Sequence, residues 1–206
     1  MNKSGFTLLE LTISTALLVI IFSLGLVAMK TSSASVSLNR GKSQLQEEAR
    51  RLMLVLTQEL EQAIKPAPQG TTLPYGAKAL TIINGGQGIR FQIPANPAFT
   101  AFSAPIEYRF QTEDTPVAGG LFPFGNAWLD PGEDSNNDGI LNRNIVRVQG
   151  GQTRALGAAN SIADATFELL ENGNLLRISL VLTAPIGDTR SQLVTYEFQR
   201  DIYLMN

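Results

Sequence analysis

Hydrophobic and polar residues change their rhythm along this chain of 206 residues. From Leu11 to Met29 the sequence is almost continuously apolar, interrupted by the polar Thr12, Ser14, Thr15 and Ser23 and by no charge. A run of that length crosses a bilayer as one helix. Beyond it the apolar residues become periodic. Leu45, Ala49, Leu52, Met53, Leu56, Leu60, Ala63 and Ile64 recur at steps of three and four, while Glu47, Glu48, Arg50, Arg51, Gln58, Glu59 and Gln62 hold the other faces. No proline intervenes, so the spacing predicts one helix from Phe6 to Lys65, ended by Pro66, Pro68 and Gly70. Roughly 60 residues at about 1.5 Å each give a rod of about 90 Å, softened at Gly25 or around residues 32–37. Its outer half is too polar to span a membrane, and its stripe is expected to dock on a globular domain as ordinary core packing.

A period of two then takes over. Ile89, Phe91 and Ile93 alternate with Arg90 and Gln92, and Ile106, Tyr108 and Phe110 with Glu107, Arg109 and Gln111, as in half-buried strands. Residues 167–171 and 175–183 flank Asn172-Gly173-Asn174, a hairpin turn whose residues accept positive φ. A strand over 193–203 follows a turn around Gly187-Asp188; shorter strands are expected at 79–83 and 144–148, and Gly85-Gly86-Gln87-Gly88 reads as a hairpin turn. The fold class is α+β, with the long N-terminal helix packed on an antiparallel β-sheet domain with long loops. Large apolar side chains in loops usually return to the core, which is the expectation for Leu121-Phe-Pro-Phe124 and Trp128, an exposed recognition patch being the alternative.

Glu10 sits at the edge of the membrane-length run, in Lys3-Ser-Gly-Phe-Thr-Leu-Leu-Glu10. An ionisable group there is costly, up to about 2.5–3.5 kcal/mol near the middle of a span and less toward its end, unless something compensates it. A cleaved secretory signal has a shorter apolar core and a small-residue cleavage site after it. A plain anchor gives Glu10 no role. Gly5-Phe6 followed by Glu10 at the foot of a span resembles the leader junction of type IV prepilins and type II secretion pseudopilins. The resemblance divides the chain into a leader peptide (1–5), a transmembrane and filament-core helix (6–29), its amphipathic continuation (30–65) and a β-rich extracytoplasmic domain (66–206).

What the resemblance implies is a biogenesis. A prepilin peptidase would cut between Gly5 and Phe6 and methylate the new amino group of Phe6. The Glu10 carboxylate would pair with the N-terminal amine of a neighbouring subunit, two buried charges offsetting each other's desolvation. The implied partners are other pilin or pseudopilin subunits, the prepilin peptidase and the inner-membrane assembly platform. The implied location is the cytoplasmic (inner) membrane, crossed once with the C-terminal domain outside, and then the filament. Charge does not fix that orientation, since Lys3 precedes the span while Lys30, Arg40 and Lys42 follow it. The element order and the ending Tyr196-Glu-Phe-Gln-Arg-Asp-Ile-Tyr-Leu-Met-Asn206 are similar to the minor pilin W and pseudopilin J group, whose members help initiate or cap assembly at a filament tip. Two alternatives remain: a membrane-tethered extracytoplasmic binding module, calcium-dependent in one version, and a minor pilin that binds DNA or a surface.

Composition narrows the chemistry. Net charge is −2, becoming −3 if the leader takes Lys3 with it, so nothing favours nucleic acid, although Arg143 and Arg147 are the basic residues nearest the long acidic loop. With no Cys, no disulfide staples the exported part, about 140 residues that must rely on their core or on metal. With no His or Cys, no phosphate-binding Gly-rich loop and no Gly-x-Ser-x-Gly turn, an enzyme is not expected. The remaining route to catalysis is a pair among Glu107, Glu113, Asp114, Asp130 and Glu133.

The acidic loop carries a separate expectation. In Asp134-Ser-Asn136-Asn-Asp138-Gly139-Ile140-Leu-Asn142, oxygen-bearing side chains recur at every second position and Gly follows the third, as in the first half of an EF-hand. By that analogy Asp134, Asn136 and Asp138 offer side-chain oxygens to Ca²⁺, Ile140 its carbonyl, and Asn142 a direct or water-mediated contact. Ile145 stands where an EF-hand has its bidentate Glu, so a complete EF-hand is excluded; Asp130 or Glu133 substitutes only if the loop folds back. The competing reading is a plain Asn/Asp-Gly turn. Calcium would be structural here, and no cofactor is required.

Overall fold

A computed structural model describes residues 7–67, 78–115, 124–135, 137, 139–156, 161–185 and 193–204. Compactness divides the chain into Met1–Arg40 and Gly41–Asn206. The helix α1, Leu8–Leu60, runs through both.

Within the first unit, the described residues 7–40 are all exposed. Leu8, Leu9, Leu11, Ile13 and the apolar residues that follow up to Met29 lie bare on every side of the helix, which is long and apolar enough to cross a membrane. Its polar interruptions turn inward on the helix itself. Thr12 donates its hydroxyl to the Leu9 carbonyl (2.9 Å), Thr15 to those of Thr12 and Leu11 (3.0 and 3.1 Å), and Ser23 to that of Ile20 (2.8 Å). Each hydroxyl thereby spends its proton on a backbone oxygen and presents mainly carbon outward.

In the second unit, α1 supplies the central stripe of the core. Leu45, Ala49, Leu52, Met53, Leu56 and Leu60 are buried as the period required, and Thr57 is buried with them. The helix stops at Leu60 rather than Lys65. Its last turn tightens, with the Gln62 and Ala63 amides donating to the Glu59 and Leu60 carbonyls three residues back, after which the Ile64 carbonyl accepts from the Leu80 amide (2.8 Å). Ala63 and Ile64 stay buried, so the apolar period outlasts the helix.

The strands form two antiparallel sheets where the sequence suggested one. Thr81–Ile83 (β1), Gly88–Phe91 (β2), Ile106–Thr112 (β3), Arg143–Gln149 (β4) and Gln152–Leu156 (β5) lie in sequential order in a five-stranded sheet. Ile162–Leu170 (β6), Leu175–Pro185 (β7) and Leu193–Tyr203 (β8) form a three-stranded meander. Instead of extending the first sheet beyond β5, β6 passes close to β1, β2, β3 and β4. Its Ile162, Ala165 and Phe167 therefore enter the same core as Ile89, Phe91, Tyr108 and Ile145.

The alternating segments fall where the period of two put them, with three adjustments. Ile93 lies past the end of β2, though packed against the core; residues 79 and 80 precede β1; and β6 begins at Ile162 rather than 167. The hairpin between β6 and β7 turns at Glu171 and Asn172, which take φ of 49° and 56°. Phe124 and Trp128 are half-buried. Residues 121–123 and the turn at 187–188 lie outside the described residues.

The stripe makes a sharp test of the packing. Leu56 is wholly buried and its neighbour Leu54 is 58% exposed. Leu56→Ala is expected to lower unfolding free energy by about 2–5 kcal/mol, and Leu54→Ala to change it by no more than about 0.5 kcal/mol. Denaturant titration of the full chain in detergent checks both; equal effects would overturn the assignment of the buried face.

Candidate functional site

Gly5 and Phe6 lie outside the described residues. Glu10 is described, and it has a partner that the sequence reading missed. The Thr7 amide and hydroxyl both donate to Glu10 Oε2 (2.9 and 3.0 Å), and the Glu10 amide donates back to Thr7 Oγ1 (3.3 Å). The Leu11 amide donates to the Thr7 carbonyl (3.2 Å), which makes Thr7 the N-cap and Glu10 the third helical residue. This is a capping box, and its signature Thr-x-x-Glu stands in the sequence at Thr7-Leu-Leu-Glu10.

The acidic loop folds back on the end of β3. Three successive residues there grip it. Glu113 accepts from the Ser135 amide and hydroxyl through Oε1, and from the Asn142 amide (3.2 Å) and side-chain nitrogen (2.9 Å) through Oε2. Asp114 accepts from the amides of Asn126 (3.0 Å) and Ala127 (2.9 Å). Thr115 donates its amide (2.9 Å) and hydroxyl (2.5 Å) to Glu133, whose other oxygen takes the Asp130 amide (3.0 Å). Gly125 makes room for this grip: its φ is +86°, and a Cβ there would fall 1.9 Å from Asp114 Oδ1.

Electrostatics follow these contacts. The Ser135 hydroxyl, then the Asn142 donors, hold the Glu113 carboxyl below its ordinary range. Burial pushes Glu133 up, but the Thr115 and Asp130 donors outweigh it and the group ends low. Asp114 goes the other way: burial raises it more than the Ala127 and Asn126 amides and the Arg143 charge lower it. Arg143 is wholly buried, 3.4 Å from Asp114, and donates to the Thr183 hydroxyl (2.7 Å), so it ties β4 to the loop and to β7.

Of the calcium candidates, Asp134 Oδ2 accepts the Gly139 amide (2.9 Å), closing a turn between the first and sixth positions. The Ile140 carbonyl accepts from the Asn142 side chain (3.2 Å), whose nitrogen also serves Glu113. Asn136 and Asp138 lie outside the described residues. Among the described residues no group of three or more acidic side chains converges as a metal site. Ile145 is buried in β4, consistent with its hydrocarbon character. Asp130 and Glu133 do fold back, toward Asn126 and Thr115 rather than toward Asp134.

The remaining polar candidates are engaged elsewhere. Glu107 lies between Arg90 and Arg109 on the β2–β3 face. Arg147, one of the two basic residues nearest the acidic loop in the sequence, turns to Glu59 on α1 (2.9 and 3.2 Å), which also accepts from the Tyr108 hydroxyl (2.5 Å). Burial and that carboxylate push the Tyr108 phenol up. With Arg143 interior and Arg147 paired, both arginines are structural links between elements. No protein-family model matches the chain, and neither does a characterised protein or a solved structure.

Removing one partner of the buried pair leaves an uncompensated charge. Arg143→Leu is expected to cost about 3–5 kcal/mol, and Gly125→Ala about 2 kcal/mol or more from positive φ and the collision with Asp114. Thermal unfolding and amide exchange at Asn126 and Ala127 check this; unchanged protection in both variants would show that Asp114 does not anchor the loop.

Proposed function

We propose that the chain is a minor pilin or pseudopilin, a structural subunit processed by prepilin peptidase that helps initiate or cap assembly of a type IV pilus or type II secretion pseudopilus. One observation carries this reading. Gly5-Phe6 precedes Glu10 at the foot of a helix whose first part is apolar and exposed on every side, and the same helix continues into an α+β unit. An apolar surface of that extent must be covered in water. A bilayer before assembly and neighbouring helices after it both cover it. In this role Glu10 meets the N-terminal amine of a neighbouring subunit, and the mature chain begins at N-methyl-Phe6. The partners are other subunits of the filament, the peptidase and the assembly platform, and the globular unit lies outside the cytoplasm.

The capping box dictates which substitution tests the pairing. Glu10→Ala removes the charge together with the carboxylate half of the capping box, so a defect has two sources. Glu10→Gln keeps an acceptor for Thr7 and removes only the charge. We expect Glu10→Gln to be cleaved normally and to enter filaments much less than the wild type; normal recovery in filaments would refute the pairing. Mass spectrometry of the mature N-terminus tests the class itself. N-methyl-Phe6 is expected, whereas an uncut Met1 would favour a membrane-tethered binding module.

Structural calcium in the 134–142 loop is a separable proposal, supported by the turn that Asp134 and Gly139 close. It expects heat on calorimetric titration of the full chain with Ca²⁺ and a higher melting temperature than in EGTA. A silent titration and an unchanged melting temperature would leave the plain Asn/Asp-Gly turn.

A further inference from the structure

β5 closes one end of the five-stranded sheet, and among the described residues no strand pairs with its far side. Gly150 and Gly151 join it to β4 with φ of 57° and 80°, a two-residue turn that only residues tolerant of positive φ make readily. In such a hairpin the flanking pair, Gln149 and Gln152, exchanges both backbone hydrogen bonds. Alternation then points the backbone groups of Arg154 and Leu156 at β4, while Thr153 and Ala155 present theirs to the side away from β4, where no described strand pairs.

Side chains alternate too. Leu156 is buried, so Arg154 shares its face of the sheet. Between that face and α1 runs a groove of about 740 Å³, lined among others by Arg51, Val55, Glu59, Arg147 and Arg154. Arg154 lies directly across from Arg147 in the β4–β5 register. Like charges so placed repel. Glu59 neutralises Arg147, but no ion pair engages Arg154 or Arg51 among the described residues. At the strand wall two guanidiniums therefore share one carboxylate. Glu47 and Glu48 also face the groove, one helical turn before Arg51.

We propose that this groove receives an extended acidic segment of a partner protein, which adds to β5 as a further strand and sets a carboxylate against Arg154. Thr153 and Ala155 supply the backbone hydrogen bonds, Val55 an apolar contact, and Arg154 the selectivity. A second copy of this chain is a poor occupant, because antiparallel pairing of two β5 strands about their centres would oppose Arg154 to itself. The charge that attracts an acidic strand thus also blunts the edge against self-association.

The test uses the full chain in detergent and two synthetic strand peptides of alternating threonine and valine, one with a central glutamate and one with a central lysine. The glutamate peptide is expected to slow amide exchange at Thr153 and Ala155 and to bind about tenfold or more tighter than the lysine peptide. Arg154→Glu should invert that preference. Ala155→Pro removes an outward donor but no bond to β4, so it should abolish binding at an unchanged melting temperature. Failure of the glutamate peptide to bind, binding indifferent to Arg154→Glu, or self-association of the chain through β5 would each overturn the proposal.

Discussion

The globular unit depends on the apolar stripe of α1. Leu45, Ala49, Leu52, Met53, Leu56 and Leu60 meet the buried faces of both sheets in one cluster, so neither sheet completes a core without the helix. Burying a Leu or Met side chain contributes about 1.5–3 kcal/mol, and no disulfide supplements that sum. Hydrophobic contact does not fix register, and here polar contacts do. Glu59 takes both Arg147 from β4 and the Tyr108 hydroxyl from β3, one helical turn after the buried Leu56. A helix displaced by one turn would keep much of its burial and lose this junction.

A second polar junction holds the part of the unit that the stripe does not reach. Arg143 and Asp114 are buried together, and such pairs are weak evidence for stability because desolvation offsets attraction. Their value lies in geometry. Asp114 spends its oxygens on two successive loop amides and a guanidinium, while Arg143 reaches Thr183 at the end of β7. With Glu113 and Thr115 on either side, the described part of the connection between β3 and β4 is seated by polar contacts to three successive residues. Only a glycine at 125 leaves space for that seat.

Local regularities were legible in the sequence. The stripe, the alternating strands and the Asn172-Gly173 turn follow from period and backbone preference, and each lies within a few residues of its expected place. β5 was not legible: Gln152, Thr153, Arg154 and Ala155 are all exposed, and an edge strand bare on both faces has no alternation to reveal. The end of α1 was misplaced because Ala63 and Ile64 stay buried after the helix has tightened and stopped. The ion pairs of Arg143 and Arg147 were not legible because their partners, Asp114 and Glu59, lie 29 and 88 residues away in the chain. The capping box, by contrast, was present in four consecutive residues and was obscured by the louder question of a charge beside an apolar run of membrane length.

That charge can now be separated into two energetic parts. Hydrogen bonds from Thr7 meet the demand of a carboxylate for donors and the demand of a helix end for acceptors, all within one chain. They leave the net charge intact, because both donors are neutral. Donors lower the cost of an ion in a poor solvent, yet the larger part of that cost comes from the unscreened charge and falls only when a cation approaches. Capping and pairing therefore do not compete for Glu10. Capping fixes where the carboxylate points before any neighbour arrives, and a positioned anion at the foot of an apolar helix loses less conformational freedom when it meets an ammonium. On the proposed reading, the cap is what makes the assembly contact directional.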